Sequence, residues 1–194
     1  MKTYIQIGSN VGKDDFQRMV ESMEQPANIV LVEPNPNLTQ ELENNYKELS
    51  KRHQISIFVY GISNTDGESD LYFYWNHVLS SMIKRRTIAE EPARQIKIKT
   101  LTFEHLCELC KVTEVENLSI DTEGLDYQIL MSIDLNKIKI NEIIFEEWWP
   151  ENDDRNGIYE TGPSFLEKVK EKYKDYRWEK LVLENMQNYR LTKI

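Results

Sequence analysis

The opening of the chain alternates short apolar runs with amphipathic ones, and that order leaves few folds open. Tyr4-Ile5-Gln6-Ile7 reads as a buried strand stopped by Gly8. Phe16, Met19, Val20 and Met23 then recur at i, i+3, i+4 and i+7, the spacing of one helix face. Asp14 and Asp15 stand where that helix begins, and carboxylates there suit the positive end of the helix dipole. Asn28 to Glu33 is a second strand, punctuated by Pro34 and Pro36. Leu38, Leu42, Tyr46 and Leu49 mark a second helix, and Ile55 to Tyr60 is a third strand closed by Gly61. Strands and helices in this order call for a parallel sheet with right-handed crossovers.

The texture then changes. Asp66-Gly67 is a turn signal, and Ser69 to Trp75 is rich in strand-forming residues. Ile96 to Thr100 is another strand, able to pair with that one or to join the main sheet. The polar stretch between them, Asn76 to Arg94, reads as a loop or short helix. Alternation resumes with a helix from Thr102 to Lys111, a strand from Asn117 to Asp121, a helix begun by Tyr127, Leu130 and Ile133, and a strand from Glu142 to Glu146. Phe165, Leu166, Val169 and Tyr173 form a last helix, and Arg177 to Leu183 with Tyr189 to Thr192 form an antiparallel pair. No repeat, low-complexity segment or linker divides the 194 residues, so residues 1–194 are read as a single domain with a full core.

Composition narrows the function classes. The formal net charge of -9 repels phosphate backbones and argues against nucleic acid as a partner. Lys84-Arg85-Arg86 is too short a basic block to change that and reads as a solvated loop. No apolar run reaches membrane-spanning length, and the N-terminus lacks the pattern of a signal peptide. Cys107 and Cys110 lie on one helix with no second pair or close His pair to complete a zinc site. Free thiols without a signal peptide point to a reducing, cytoplasmic compartment.

The turn after the first strand carries the first functional signal. Gly8-Ser9-Asn10-Val11-Gly12 sits where a strand meets a helix, so glycine permits the tight turn and the helix offers its positive end. Glu33 closes the second strand 21 residues past Gly12, where a carboxylate can accept hydrogen bonds from both ribose hydroxyls of a nucleotide. Ser9-Asn10 occupies the place of the middle glycine of a dinucleotide site. That disfavours a bulky pyrophosphate, and with it a nicotinamide-dependent oxidoreductase, and suits adenosine with a small cationic tail.

These residues resemble FkbM-like methyltransferases. Ile7-Gly8-Ser9-Asn10-Val11-Gly12 is similar to the family's Ile-Gly-Ala-Asn-x-Gly, and Val32-Glu33-Pro34-Asn35-Pro36 to its second motif. Ile62-Ser63-Asn64, Ser80-Ser81-Met82 and Leu118-Ser119-Ile120-Asp121-Thr122-Glu123-Gly124 follow in family order, so the resemblance covers roughly residues 3 to 147. It implies a Rossmann-like α/β class I methyltransferase fold: a mostly parallel seven-stranded sheet, helices on both faces and a C-terminal antiparallel hairpin. It implies S-adenosyl-L-methionine (SAM) as methyl donor and a hydroxyl acceptor on a sugar or small metabolite. Gly8, Asn10 and Gly12 would then frame the methionine part of SAM, Glu33 would hold the ribose, Ile62 and Ser63 would flank the adenine, and Asp121 would lie beside the sulfonium. The family commonly has an acid where this chain has Gln6, whose amide oxygen can still meet the ammonium but without charge complementarity. Helices that often precede the family's first strand are not seen before Thr3.

An alcohol acceptor must lose a proton, so carboxylates at the strand ends are the candidate catalytic groups. Asp121 and Glu123 share one side if the strand runs past them and diverge around a pocket if the turn starts at Asp121. One of the two is expected to orient SAM or to deprotonate the acceptor. A divalent metal between them is chemically reasonable but not favoured. Glu146, with Glu147, ends the next strand and can face the acceptor, while Trp148 and Trp149 can stack on a sugar or cap the core. His77 is a further candidate base, and residues 151–162 read as a lid or an ordinary loop. The rival reading is a catalytically inactive SAM- or nucleotide-binding module, motivated by Gln6. The oligomeric state is not encoded in these patterns.

Overall fold

The computed structural model describes residues 1–74, 80–83, 94–146, 163–183 and 186–194. Trp75, His77, the Lys84–Arg86 block, Glu147, Trp148, Trp149 and the 151–162 segment lie outside the described residues.

Three strands open the chain, β1 (Thr3–Ile7), β2 (Asn28–Val32) and β3 (Gln54–Phe58), with α1 (Asp15–Ser22) and α2 (Thr39–Tyr46) between them. A short 3₁₀ turn, Leu49–Lys51, leads into β3. β4 (Gly61–Ile62), β5 (Gly67–Phe73) and β6 (Arg94–Leu101) follow. Then come α3 (Phe103–Cys110), β7 (Glu114–Ile120), α4 (Asp126–Ser132), β8 (Lys139–Glu146), α5 (Pro163–Lys172), β9 (Tyr176–Leu183) and β10 (Met186–Lys193).

Seven strands form one sheet in the order β3-β2-β1-β7-β8-β10-β9, in which β10 runs antiparallel to both its neighbours. This is the mostly parallel sheet with a terminal antiparallel hairpin expected from the sequence. The strand that could have joined either sheet, β6, pairs antiparallel with β5 and parallel with β4 in a separate three-stranded sheet. The third main-sheet strand ends at Phe58, two residues before the expected Tyr60, and the chain passes into the smaller sheet at Gly61.

The sheet buries both faces, which explains the unbroken apolar run of β2. Ile29 and Leu31 face a cluster with Phe16 and Val20 of α1 and Leu42 and Tyr46 of α2. Val30 and Val32 face the opposite cluster, which contains Phe103 and Leu106 of α3 and Ile129 and Leu130 of α4. Each such side chain contributes roughly 1.5–3 kcal/mol when fully buried. Asp14 caps α1 by accepting the Gln17 N–H at 3.0 Å, and Thr102 caps α3 by accepting the His105 N–H at 3.2 Å. Cys107 is buried in α3 and Cys110 half-buried, both as free thiols. Among the described residues no helix is long and apolar enough to cross a membrane.

Register brings the functional edge together. Ile7 pairs with Val32 on one side and Ile120 on the other, and Ile120 pairs with Phe145. The residues one step further, Gly8, Glu33, Asp121 and Glu146, therefore emerge at the same carboxyl edge.

Candidate active site

The sheet changes direction of growth between β1 and β7, since β2 and β3 extend one way and β8 the other. A crevice outside the carboxyl ends of the strands at such a switch point is where open α/β sheets hold ligands. Here it is an open cleft walled by Gly8, Asn10, Glu33, Ile62, Asp121 and Glu123 among others.

The glycine turn is built for internal reasons. Gly8 has φ +83°, and a Cβ on it would overlap the carbonyl oxygen of Asp121. The N–H groups of Gly8 and Ser9 both donate to the Val32 carbonyl, at 2.9 and 3.0 Å. The glycine thus lets the exit of β1 pass that of β7, and its own N–H is taken by the Val32 carbonyl. Ser9 is buried and its hydroxyl accepts the Val32 N–H at 3.1 Å. Asn10 lines the cleft with φ 47°, a left-handed value that asparagine tolerates well. Gly12 is placed elsewhere: a Cβ there would sit 2.6 Å from the Tyr46 ring and 2.7 Å from Leu42, so this glycine accommodates α2 and does not wall the cleft.

Glu33 is 7% exposed, at the end of β2. One carboxylate oxygen accepts the Asn10 N–H and the other the Asn35 N–H, both at 2.8 Å. Burial pushes its pKa up, opposed by those two hydrogen bonds. Each oxygen keeps a lone pair for a further donor.

Gln6 is buried beneath the turn and does not wall the cleft. Its amide nitrogen donates to Asp14 at 2.6 Å, and its amide oxygen has no hydrogen-bond partner among the described residues. The carboxylate missing at position 6 is therefore present nearby at position 14. Ile62 is buried in the cleft wall; Ser63 is not among the residues lining the cleft, and its N–H donates to the Leu101 carbonyl at 2.9 Å.

β7 stops at Ile120, so the turn starts at Asp121, and Asp121 and Glu123 both line the cleft. Asp121 is exposed at the cleft, while protein atoms packed around its carboxyl desolvate it. That crowding pushes its pKa well above the usual carboxylate range, and the charges of Asp126, Glu146, Glu123 and Asp14 add to the effect. Glu146 stands at the end of β8, outside the cleft wall but within reach of Asp121 by charge. Glu123 has φ 57°, a left-handed conformation costing roughly 1–2 kcal/mol for a residue other than glycine. Among the described residues no three His, Cys, Asp or Glu side chains are grouped to hold a metal ion.

Two residues of this site were not read from the sequence. Asp126 is 3% exposed, and its carboxylate accepts the Thr122 hydroxyl at 2.5 Å and the Thr122 N–H at 3.3 Å. Thr122 Oγ1 also accepts the Leu125 N–H at 3.2 Å, so Thr122 and Asp126 clasp the turn much as a capping box clasps a helix start. The Thr122-x-x-x-Asp126 spacing is the signal that could have revealed it. Ser81, read only as part of a loop motif, is 1% exposed in the cleft wall and its hydroxyl donates to the Glu123 carbonyl at 3.0 Å.

Several solved structures share this fold. A methyltransferase from Geobacter sulfurreducens matches with a TM-score of 0.53 and 9% identity over 100% of this chain and 71% of its own. Fibrillarin from Aeropyrum pernix, in complex with natively bound SAM, matches with a TM-score of 0.57 and 9% identity over 98% of this chain and 66% of its own. An O-methyltransferase from Bacillus cereus, in complex with SAH (S-adenosyl-homocysteine), matches with a TM-score of 0.55 and 10% identity over 99% of this chain and 74% of its own. No curated protein matches the chain significantly by sequence. The model of the methyltransferase FkbM domain matches residues 6–177, most of the chain, and the protein therefore belongs to the FkbM methyltransferase family.

Proposed function

We propose that this protein transfers the methyl group of SAM to a hydroxyl oxygen on a sugar or small metabolite. The observation that carries the reading is Glu33: a buried carboxylate at the cleft, fixed by two backbone donors, with one lone pair left on each oxygen. A vicinal diol, as in the ribose of an adenosyl group, offers two O–H donors to match. The family membership and the SAM or SAH bound by structural neighbours support the same donor.

When bound, SAM supplies an activated methyl group, so the protein's task is alignment and proton removal. Glu33 would hold the ribose, with Gly8 and Asn10 shaping the wall and Ile62 packing against the adenine. Asp121, made more basic by its crowded, acidic surroundings, would take the acceptor's hydroxyl proton on a carboxylate oxygen. Glu123 would face the acceptor or the cationic donor from the opposite side of the turn, and Glu146 would act on Asp121 through its charge. The net charge of -9 favours an uncharged or cationic small acceptor over nucleic acid.

Titration calorimetry with SAM and SAH, followed by mass spectrometry of candidate polyols after incubation with SAM, tests the proposal. Saturable binding with a 14-Da gain on an acceptor supports it. Binding without transfer to any acceptor would instead favour an inactive binding module, and no binding would end the reading.

A further inference from the structure

The described part of the second sheet and the turn after β7 meet across the cleft at Ser81. Its backbone is fixed to β5: the Tyr72 N–H donates to the Ser81 carbonyl at 2.9 Å and the Ser81 N–H to the Tyr72 carbonyl at 3.1 Å. Its hydroxyl has one proton, which goes to the Glu123 carbonyl at 3.0 Å, and accepts the Ile83 N–H at 3.1 Å. The receiving residue, Glu123, is one of three residues other than glycine with positive φ among those described. The other two are Asn10, whose side chain suits that region, and Lys111, which ends α3 in a left-handed cap. Glu123 has neither excuse, and a left-handed glutamate at a ligand cleft persists only when its surroundings hold it.

We infer that Ser81 is a positioning residue: its hydroxyl, anchored to the second sheet, holds Glu123 in the left-handed conformation and so fixes where the Glu123 carboxylate stands in the cleft. The Ser81 hydroxyl then joins the wall that carries it to the turn carrying the acidic pair. The consequence for ligand affinity rests on the proposed SAM site; the conformational claim does not.

The test uses the full chain and three variants. Carbon chemical shifts of Glu123 report its φ without any ligand. Ser81→Ala is expected to move them out of the left-handed range, Ser81→Thr to leave them unchanged, and Ser81→Cys, a weaker and slightly larger donor, to give intermediate values. Ser81→Cys also provides the reading should Ser81→Ala fail to fold. Calorimetry with SAM should show about a tenfold loss for Ser81→Ala, restored by Ser81→Thr. Left-handed shifts at Glu123 in both Ser81→Ala and Ser81→Cys would overturn the inference. Displaced shifts in Ser81→Ala with unaltered SAM affinity would support the conformational claim and overturn only its consequence for SAM affinity. A wild-type chain that fails to bind SAM contradicts the proposed function instead, and the chemical shifts still decide the conformational claim.

Discussion

Gly8 and Asp121 touch where the main sheet changes its direction of growth: the space a side chain would need at Gly8 is filled by the Asp121 carbonyl. The Asp121 N–H in turn donates to the Ile7 carbonyl at 2.9 Å. This contact locks the exits of β1 and β7 together and forms the floor of the cleft. Gly8→Ala meets both a backbone overlap and a positive φ. It is expected to lower stability by at least about 3 kcal/mol in urea denaturation, with soluble yield falling in parallel. Stability within 1 kcal/mol of wild type, on that order, would show that the two strand exits are not locked.

Lys172 ends α5 with its ammonium among the last carbonyls of α4, donating to Leu130 at 2.9 Å, Met131 at 2.7 Å and Ile133 at 2.6 Å. Partial burial lowers its pKa, while Glu104 and Asp134 oppose that shift. Carbonyls at a helix end favour a cation. Lys172→Met keeps the stem and removes the donors, and should cost about 1–2 kcal/mol in urea denaturation with SAM affinity unchanged. An equal loss of SAM affinity would place Lys172 in the function rather than in the scaffold.

Asp126 titrates in an unusual range. Burial raises its pKa to about 6, against the hydrogen bonds from Thr122 that lower it. The folded state therefore holds this proton more tightly than the unfolded chain, whose carboxyl has an ordinary value near 3.9. Stability from this group is complete below pH 4 and is lost as pH rises toward about 6. Asp126→Asn cannot ionise and keeps an acceptor for Thr122. It should match wild type near pH 4 and exceed it near pH 8 by up to roughly 3 kcal/mol, read from urea midpoints across pH. A constant difference at all pH values would contradict this.

The fold was legible where local pattern and tertiary demand agree. β2 announces itself because a strand buried on both faces must be apolar throughout, and Ile29 to Val32 are fully buried. α1 is marked by Asp14, which does cap it. The second sheet was only half legible, because β4 is two residues long and exists through its pairing with Thr100 and Leu101, nearly forty positions away. The site divides in the same way. Glu33 and Asp121 follow from strand ends and register. Gly12 was given to the ligand through the family resemblance, but Tyr46 and Leu42 occupy the space it leaves, a packing relation no local pattern encodes. Ser81 and Asp126 act through partners in the turn after β7, and Ser81 is 42 positions from the one it holds.

The account rests on Glu33 receiving a ribose diol, and the most direct measurement compares the affinities of adenosine and 2′,3′-dideoxyadenosine by calorimetry in wild type and in Glu33→Gln. Two hydrogen bonds to a carboxylate predict that wild type prefers adenosine on the order of a hundredfold, and that the substitution removes most of this preference. Equal affinity of wild type for the two nucleosides, or a preference that survives Glu33→Gln, would contradict it.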